Sequence, residues 1–188
     1  MAKKLITLFD LPIAAPSANL SERTSVTNIM DIDPILVKKI FVLKDKQSSH
    51  GLESTVVRID TNNEIEVLRY GSITVEELNK YAKVKIKKKS SISPGNLKKH
   101  YSTLKPIRMN AKRILKNEGL LNFGNNKLKS KIINLNLSNK KNLNEAAKNF
   151  YHYLHKLDQS RCKKIAVVEI PDKGLGKTIN DRLRRAIK

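Results

Sequence analysis

The sequence predicts a mixed α/β fold, and three observations support this prediction. Two β-branched runs, 55–59 and 65–68, flank a polar turn and predict a β-hairpin. Strand-like and helix-like patterns then follow one another from residue 132 to residue 187 in the order strand, helix, strand, helix. That order in a short span is typical of an α/β domain with a parallel sheet. Because aromatic residues make up only 5% of the chain, Ile, Leu and Val must form the core.

The first part of the chain predicts short elements. Apolar residues at helical spacing predict a helix that ends before Pro12. A helix is predicted over 33–40 and a strand over 41–43. After the hairpin, Thr74 and Glu77 have the spacing of a capping box, which predicts the start of another short helix.

Residues 83–106 predict a linker between two domains, because they are rich in Lys, Ser, Pro and Gly and show little periodicity. The predicted domains are therefore 1–82 and 107–188. Residues 107–116 fit either a strand or a helix. The remaining elements of the second domain are a strand at 132–137, an amphipathic helix at 143–157, a strand at 165–170, a turn at 174–176 and a helix at 179–187 with Asn180 or Asp181 near its start.

Positive charge is concentrated in the second part of the chain. Residues 1–79 hold 9 basic and 11 acidic side chains, whereas the remaining 109 hold 29 basic and 6 acidic ones. Residues 80–116 contain 13 Lys or Arg and no acid. Such a block predicts contact with a polyanion, because clustered cations displace counterions from phosphates. A lysine- and asparagine-rich composition without functional meaning is the alternative, and both interpretations stay open.

Several classes of protein are excluded by composition. A single cysteine, Cys162, forms no internal disulfide, and no stretch approaches the roughly 18 apolar residues of a membrane helix. Asp10 and Pro12 interrupt the apolar N-terminal stretch too early for a secretory signal. We therefore expect a cytoplasmic protein that makes no membrane contact.

Two motifs are better explained by local structure than by chemistry. The run 174–178 ends in Gly-Lys-Thr, but Pro171 stands where a phosphate-binding loop requires its first glycine. His152 and His155 lie three residues apart on a predicted helix, a spacing that a metal site can use. No other cluster of metal ligands accompanies them, so a solvated helix face is expected and no metal site is predicted.

Four segments resemble the threonylcarbamoyl-AMP synthase family. Small and hydroxyl residues at 15–19 predict a loop whose backbone N–H groups can approach an anion. The matching segments are Pro-Ser-Ala-Asn-Leu-Ser at 16–21, Gly-Leu-Glu-Ser-Thr-Val-Val at 51–57, Leu-Arg-Tyr-Gly-Ser-Ile-Thr at 68–74, and Ser-Pro-Gly at 93–95 with His-Tyr at 100–101. Residues 174–186 are similar to the end of the family's long form, which carries an extra Rossmann-like domain.

The resemblance implies both a fold and an activity. The fold would be the C-terminal part of a twisted-sheet α+β catalytic domain, followed by a small Rossmann-like α/β domain. The family converts L-threonine, bicarbonate and ATP into threonylcarbamoyl-adenylate and pyrophosphate for a tRNA modification. ATP enters as a substrate, together with Mg²⁺. By resemblance, ATP would contact Ser17, Asn19, Ser25, Arg69, His100 and Tyr101, and threonine would contact Ala15 and Ser54. No residue is assigned to catalysis.

The sequence also departs from the family. Only fifteen residues precede Pro16, where the family has a long segment with a Lys and Arg motif for the ATP phosphates. Glu22 stands where the family has glycine. We therefore expect a truncated or split synthase that is inactive alone. It is either a decayed gene product or a split enzyme that a separate N-terminal chain completes, and both interpretations stay open. The alternative is a non-catalytic RNA-binding or scaffold protein that contacts tRNA through the basic linker and Arg182–Arg185.

Overall fold

The computed structural model describes residues 2–14, 17–43, 48–86 and 102–187. In these residues the chain forms a three-stranded sheet, which we assign to the first region (residues 2–86), and a four-stranded sheet in the second domain (residues 107–187). Helices accompany both sheets. The predicted mixed α/β class is therefore confirmed.

The first region begins with short helices. Helix α1 spans Ala2–Phe9, a 3-10 turn spans Ile29–Asp31 and helix α2 spans Pro34–Val37. Helix α2 starts where predicted, because the Asp33 carboxylate accepts a hydrogen bond from the amide of Ile35 and Pro34 occupies the first turn. The strand predicted at 41–43 is wrong, since these residues are irregular.

The predicted hairpin is confirmed. Strand β1 (Val56–Ile59) pairs antiparallel with β2 (Ile65–Arg69), and in the turn the Asp60 carboxylate accepts hydrogen bonds from two backbone amides at 2.9 Å. Strand β3 (Val84–Lys85) pairs parallel with β2, so the sheet order is β1-β2-β3. Residues predicted as the start of the linker thus belong to the sheet.

The capping box is confirmed as well. Helix α3 spans Val75–Leu78, and the Thr74 hydroxyl accepts a hydrogen bond from the amide of Glu77. The Glu77 carboxylate accepts one from the amide of Thr74 at 2.7 Å. These two bonds satisfy backbone donors that a helix start leaves without partners.

Hydrogen bonds hold the segment 102–105, through which the chain enters the second domain. The amide of Ser102 donates a hydrogen bond to the carbonyl of Glu22 at 2.8 Å. The Asp158 carboxylate then accepts hydrogen bonds from the amides of Leu104 and Lys105. The end of the predicted linker therefore lies against both the first region and the second domain.

The second domain contains a fully parallel sheet of order β4-β7-β5-β6, as the element order predicts. Helix α4 connects β6 to β7, and helix α5 follows β7. The elements are β4 (Ile107–Arg108), β5 (Glu118–Asn122), β6 (Asn134–Asn136), α4 (Leu143–Gln159), β7 (Lys164–Val167) and α5 (Leu175–Ala186).

The main core lies between this sheet and its two helices. The predicted apolar stripe of α4 is confirmed, because Ala146, Phe150, Leu154 and Leu157 are all buried. They pack against residues of the central strands, such as Leu120. In the described part of the first region, by contrast, all large side chains of α1 are exposed.

Two details of the second domain differ from prediction. Strand β5 was not predicted, because its five residues include Gly119 and Glu118 and show no alternation; all five are buried. Helix α5 begins at Leu175 instead of 179, so Gly174 precedes the helix. Asn180 therefore lies within the helix, where its amide donates to the carbonyl of Ile170 at 2.9 Å.

Candidate functional site

Glu53 connects the first region to the second domain. Its Oε1 accepts hydrogen bonds from the hydroxyl of Ser25 at 2.5 Å and from the hydroxyl of Tyr151 at 2.7 Å. Its Oε2 accepts one from Nε of Arg182 at 3.1 Å. We call these four side chains the Glu53 cluster. Three donors satisfy a carboxylate that would otherwise be costly to remove from water.

The Glu53 cluster favours the ionised form of the carboxylate. Burial raises the pKa of Glu53, but the charge of Arg182 and the hydrogen bonds from Ser25 and Tyr151 lower it more, so the pKa lies below its ordinary value of 4.5. The cation is itself enclosed, since Arg182 is 1% exposed. Its Nη1 also donates to the carboxylate of Asp181 at 2.6 Å. The cluster is therefore an ion pair between a buried cation and a half-buried carboxylate, each with several hydrogen-bond partners.

Helix α5 also holds the segment that follows β2. Nη2 of Arg182 donates a hydrogen bond to the carbonyl of Tyr70 at 2.7 Å. The hydroxyl of Thr178 donates to the carbonyl of Gly71 at 2.9 Å. One helix of the second domain thus contacts both segments, 51–55 and 69–71, that resemble the synthase motifs.

Two glycines let these segments approach their neighbours closely. Gly51 has φ +68°, and a Cβ there would lie 2.3 Å from the carbonyl oxygen of Ala147 on α4. At Gly71, a Cβ would lie 2.3 Å from the carbonyl carbon of Ser54. Neither position has room for a side chain, because both contacts are with backbone atoms.

Arg69 and Ser54, which the resemblance assigns to ATP and threonine respectively, are in contact. The Arg69 guanidinium donates hydrogen bonds to the Ser54 carbonyl at 3.0 and 3.2 Å and to its hydroxyl at 3.0 Å. Ser54 is exposed and directly follows Glu53. Ser25 and Arg69 therefore contact two consecutive residues, Glu53 and Ser54.

The remaining predicted site residues are placed differently. The Asn19 amide group donates to the carbonyls of Leu20 and Arg23, within its own loop, and Ser17 is exposed. Three predicted site residues lie outside the described residues, namely Ala15, His100 and Tyr101. The assignments of all these residues to ligands stay predictions.

A cavity of about 150 Å³ lies beside Asn19, between this loop and the end of α4. Its lining includes Arg23, Asp33, His155 and Asp158. Side chains of both charges line the cavity, so its electrostatics do not select one class of ligand.

The expectation of a solvated face for the two histidines is wrong. Nδ1 of His152 lies 2.8 Å from a carboxylate oxygen of Asp31, whose side chain is 4% exposed. Nε2 of His155 lies 3.1 Å from the hydroxyl of Thr24 and 3.2 Å from the carbonyl of Ser25. Both histidines therefore contact the first region. Among the described residues, no group of three or more side chains is arranged to hold a metal ion.

Sequence analysis missed the structural roles of Glu53, Tyr151 and Arg182. Arg182 was expected to be available to RNA, and its burial corrects that expectation. One signal for its burial was present, because Arg182 lies at helical spacing on the same stripe as Ile179 and Ala186. A cation on an apolar stripe requires a buried acid. The sequence does not show which acid that is.

Two family models match the chain. Residues 73–187 match "Threonylcarbamoyl-AMP synthase, C-terminal domain", and residues 1–71 match a model described as "Telomere recombination". The chain belongs to the threonylcarbamoyl-AMP synthase family. Among the described residues, none of the helices is long and apolar enough to cross a membrane.

Two curated relatives are threonylcarbamoyl-AMP synthases. The protein of Pyrococcus abyssi is 26% identical over an alignment of 214 positions, which covers 99% of this chain and 61% of the relative. The protein of Schizosaccharomyces pombe is 35% identical over 116 positions, which cover 54% of this chain and 28% of the relative. The chain thus spans at most about three fifths of these relatives.

The fold is that of solved members of the family. The structure of P. abyssi Sua5 complexed with L-threonine matches with a TM-score of 0.79 and 24% identity, over 98% of this chain and 60% of that one. A variant of the same protein, with a histidine and the adjacent tyrosine replaced by alanine, matches with a TM-score of 0.74 and 24% identity, over 98% and 58%. These matches show that the chain shares its fold with the matched part of P. abyssi Sua5.

Replacing Glu53 with Gln should destabilise the protein at neutral pH more than at acid pH. Because folding lowers the pKa of Glu53 below 4.5, its ionised form stabilises the folded state above that pH. This contribution is lost as the pH falls through the folded-state pKa. At pH 7 we expect E53Q to lower the free energy of unfolding by about 1–3 kcal/mol, measured by urea denaturation.

The same urea titration, repeated from pH 7 down through the pKa of folded Glu53, should show the difference between wild type and E53Q shrinking, because the carboxyl group becomes neutral as the pH falls through that pKa. Glu169→Gln is the control, because Glu169 is exposed. A wild-type-to-E53Q difference that stays constant across this pH range would contradict the ion pair.

Proposed function

We propose that this chain binds ATP and L-threonine and takes part in the synthesis of threonylcarbamoyl-adenylate. Family membership supports this proposal, together with the names of the two curated relatives. Binding of L-threonine by P. abyssi Sua5 supports the same choice of substrate. The product would serve the tRNA modification that the family resemblance implies.

One observation carries the proposal. Glu53 binds Ser25, and the next residue, Ser54, binds Arg69. Ser54, assigned by resemblance to threonine, thus contacts Arg69, assigned to ATP, and the residue before it contacts Ser25, also assigned to ATP. A synthase must hold both substrates side by side, because positioning supplies much of the acceleration of a two-substrate reaction.

The reaction needs little covalent chemistry from the protein. The amine of threonine takes up CO₂ from bicarbonate to form a carbamate. A carbamate oxygen then bonds to the α-phosphorus of ATP, the bond to the β-phosphate oxygen breaks, and pyrophosphate leaves. In our proposal Arg69 stabilises phosphate charge, because its planar guanidinium can donate several hydrogen bonds at once. The magnesium ion would arrive with the nucleotide.

The site also needs more positive charge than the first region offers. Residues 1–79 hold 9 basic and 11 acidic side chains. We propose that a further polypeptide segment, equivalent to the part of the relatives that this chain does not match, supplies these cations. Exposed apolar side chains on α1 and β1 support a covering partner, for example Leu8 at 74% and Ile59 at 66% exposure. The outer edge of β1 has no neighbouring strand among the described residues.

His100 and Tyr101 complete the proposal for the nucleotide. A histidine and an adjacent tyrosine were replaced together in one solved structure of P. abyssi Sua5. This pair in our chain matches the family's linker motif, so we propose that both residues contact ATP from the linker. A separate N-terminal chain would then face them across the site.

Titration with Mg-ATP in a calorimeter tests the proposed function. We expect heat from binding, and a tighter dissociation constant when L-threonine and bicarbonate are present. Arg69→Gln should weaken ATP binding by about ten- to a hundredfold, the effect of removing charge-assisted hydrogen bonds. Arg113→Gln is the matched control, because Arg113 is exposed and lies in the second domain.

Two results would reject the proposal. One is the absence of heat with ATP, both for the chain alone and after addition of the N-terminal segment of a relative. The other is equal weakening by the variants at Arg69 and Arg113. Pyrophosphate release only after the N-terminal segment is added would support the split form.

A second candidate function, RNA binding, is favoured by one observation. Five lysines in the loops around β6 are exposed, and none forms an ion pair within the described part of the chain. They are Lys127, Lys129, Lys131, Lys140 and Lys141. We propose that these five lysines contact the phosphates of tRNA. The predicted basic linker could add to this contact, and its lysines 87–89 lie outside the described residues.

Filter binding of tRNA at a series of salt concentrations tests this candidate. The triple variant of Lys127, Lys129 and Lys131 to Ala should weaken binding and reduce the slope of log affinity against log salt by about 1 for each phosphate that a lysine no longer neutralises. Lys38→Ala with Lys39→Ala is the control, since both lysines are exposed in the first region. An unchanged slope would count against RNA binding through these loops.

A further inference from the structure

The Glu53 cluster takes its donors from both parts of the molecule. Ser25 belongs to the first region, whereas Tyr151 lies on α4 and Arg182 on α5. Tyr151 and Arg182 are 0% and 1% exposed, respectively. They therefore reach the proposed site from inside the second domain, and neither is available to contact a ligand directly.

The cluster also fixes the direction of the Ser25 hydroxyl. A serine hydroxyl carries a single hydrogen, and an ionised carboxylate can only accept. At 2.5 Å from Oε1 of Glu53, the Ser25 hydrogen is committed to that oxygen. The Ser25 oxygen therefore presents its lone pairs, and not its hydrogen, to any ligand beside it.

We propose that Tyr151 and Arg182 are positioning residues for the nucleotide site and act on Ser25 through Glu53. This inference rests on the proposed function, in which Ser25 contacts ATP. Arg182 keeps Glu53 ionised, and the Tyr151 hydroxyl shares Oε1 with the Ser25 hydroxyl. The second domain thereby sets the orientation of a side chain in the catalytic segment. The second domain therefore does more than pack against the first region.

A conservative variant isolates the contribution of the Tyr151 hydroxyl. Tyr151→Phe removes only the hydroxyl, while the ring keeps its packing beside Phe150, whose centroid lies 5.0 Å away. Tyr153→Phe is the matched control on the same helix, because in the described part of the structure the Tyr153 hydroxyl makes no hydrogen bond. Both variants should unfold within a few degrees of wild type, and this is checked by thermal denaturation.

A double-mutant cycle tests the proposal. The dissociation constant of Mg-ATP is measured calorimetrically for wild type, Tyr151→Phe, Ser25→Ala and the double variant. We expect Tyr151→Phe to weaken ATP binding by about two- to tenfold, which is the effect of removing one hydrogen bond. In the Ser25→Ala background the same change should have less than a twofold effect. A purely structural role of Tyr151 would weaken binding equally in both backgrounds.

The outcomes separate this inference from the function on which it rests. If wild type does not bind ATP, the proposed function is rejected and the positioning role with it. If wild type binds ATP but Tyr151→Phe behaves like Tyr153→Phe, or costs the same with and without Ser25, only the positioning role is rejected. The dissociation constant of Mg-ATP for Arg182→Lys is a second test, because a lysine cannot reproduce the contacts to both Glu53 and the carbonyl of Tyr70. This change should weaken ATP binding more in the wild-type background than in the Ser25→Ala background, where only its effect through the carbonyl of Tyr70 remains.

Discussion

The ion pair between half-buried Glu53 and buried Arg182 is the contact on which the arrangement of the candidate site depends. A charge removed from water is stable only when charged and polar partners replace the missing solvation, and both side chains here have several. Removing one partner of the pair leaves the other charge with fewer compensating contacts, which lowers the free energy of unfolding. The pair therefore holds the loop 51–55 and the segment 69–71 in one fixed relation to helix α5.

This dependence follows from how unevenly the apolar core is distributed. The second domain buries a continuous core between its parallel sheet and helices α4 and α5. In the described part of the first region the buried apolar residues are Ile65, Val67 and Val75. Leu52, which is partly buried, packs against the core of the second domain. So little burial offers limited hydrophobic stabilisation. Hydrogen bonds donated by Arg182, Tyr151 and Thr178 of the second domain therefore contribute much of the stabilisation of segments 51–55 and 69–71.

Much of this fold was predictable because its signals are local. The hairpin, the Thr74 capping box and the apolar stripe of α4 each depend on residues within a few positions of one another. Strand β5 lacked such a signal, since a fully buried central strand shows no alternation. The site was predictable only as separate motifs. Which acid faces Arg182 depends on residues 129 positions apart, and the contacts of His152 and His155 depend on the same packing between regions.

Hydrogen exchange of backbone amides tests the central role of the ion pair most directly. Wild type and Arg182→Gln are compared segment by segment, because exchange reports local opening of structure. If the ion pair holds these segments in place, the amides of residues 51–55 and 70–73 exchange faster in the variant, and the protection of amides in α4 and β7 is unchanged. Equal exchange of the motif segments in both proteins would contradict this role of the ion pair and would show that other contacts hold them in place.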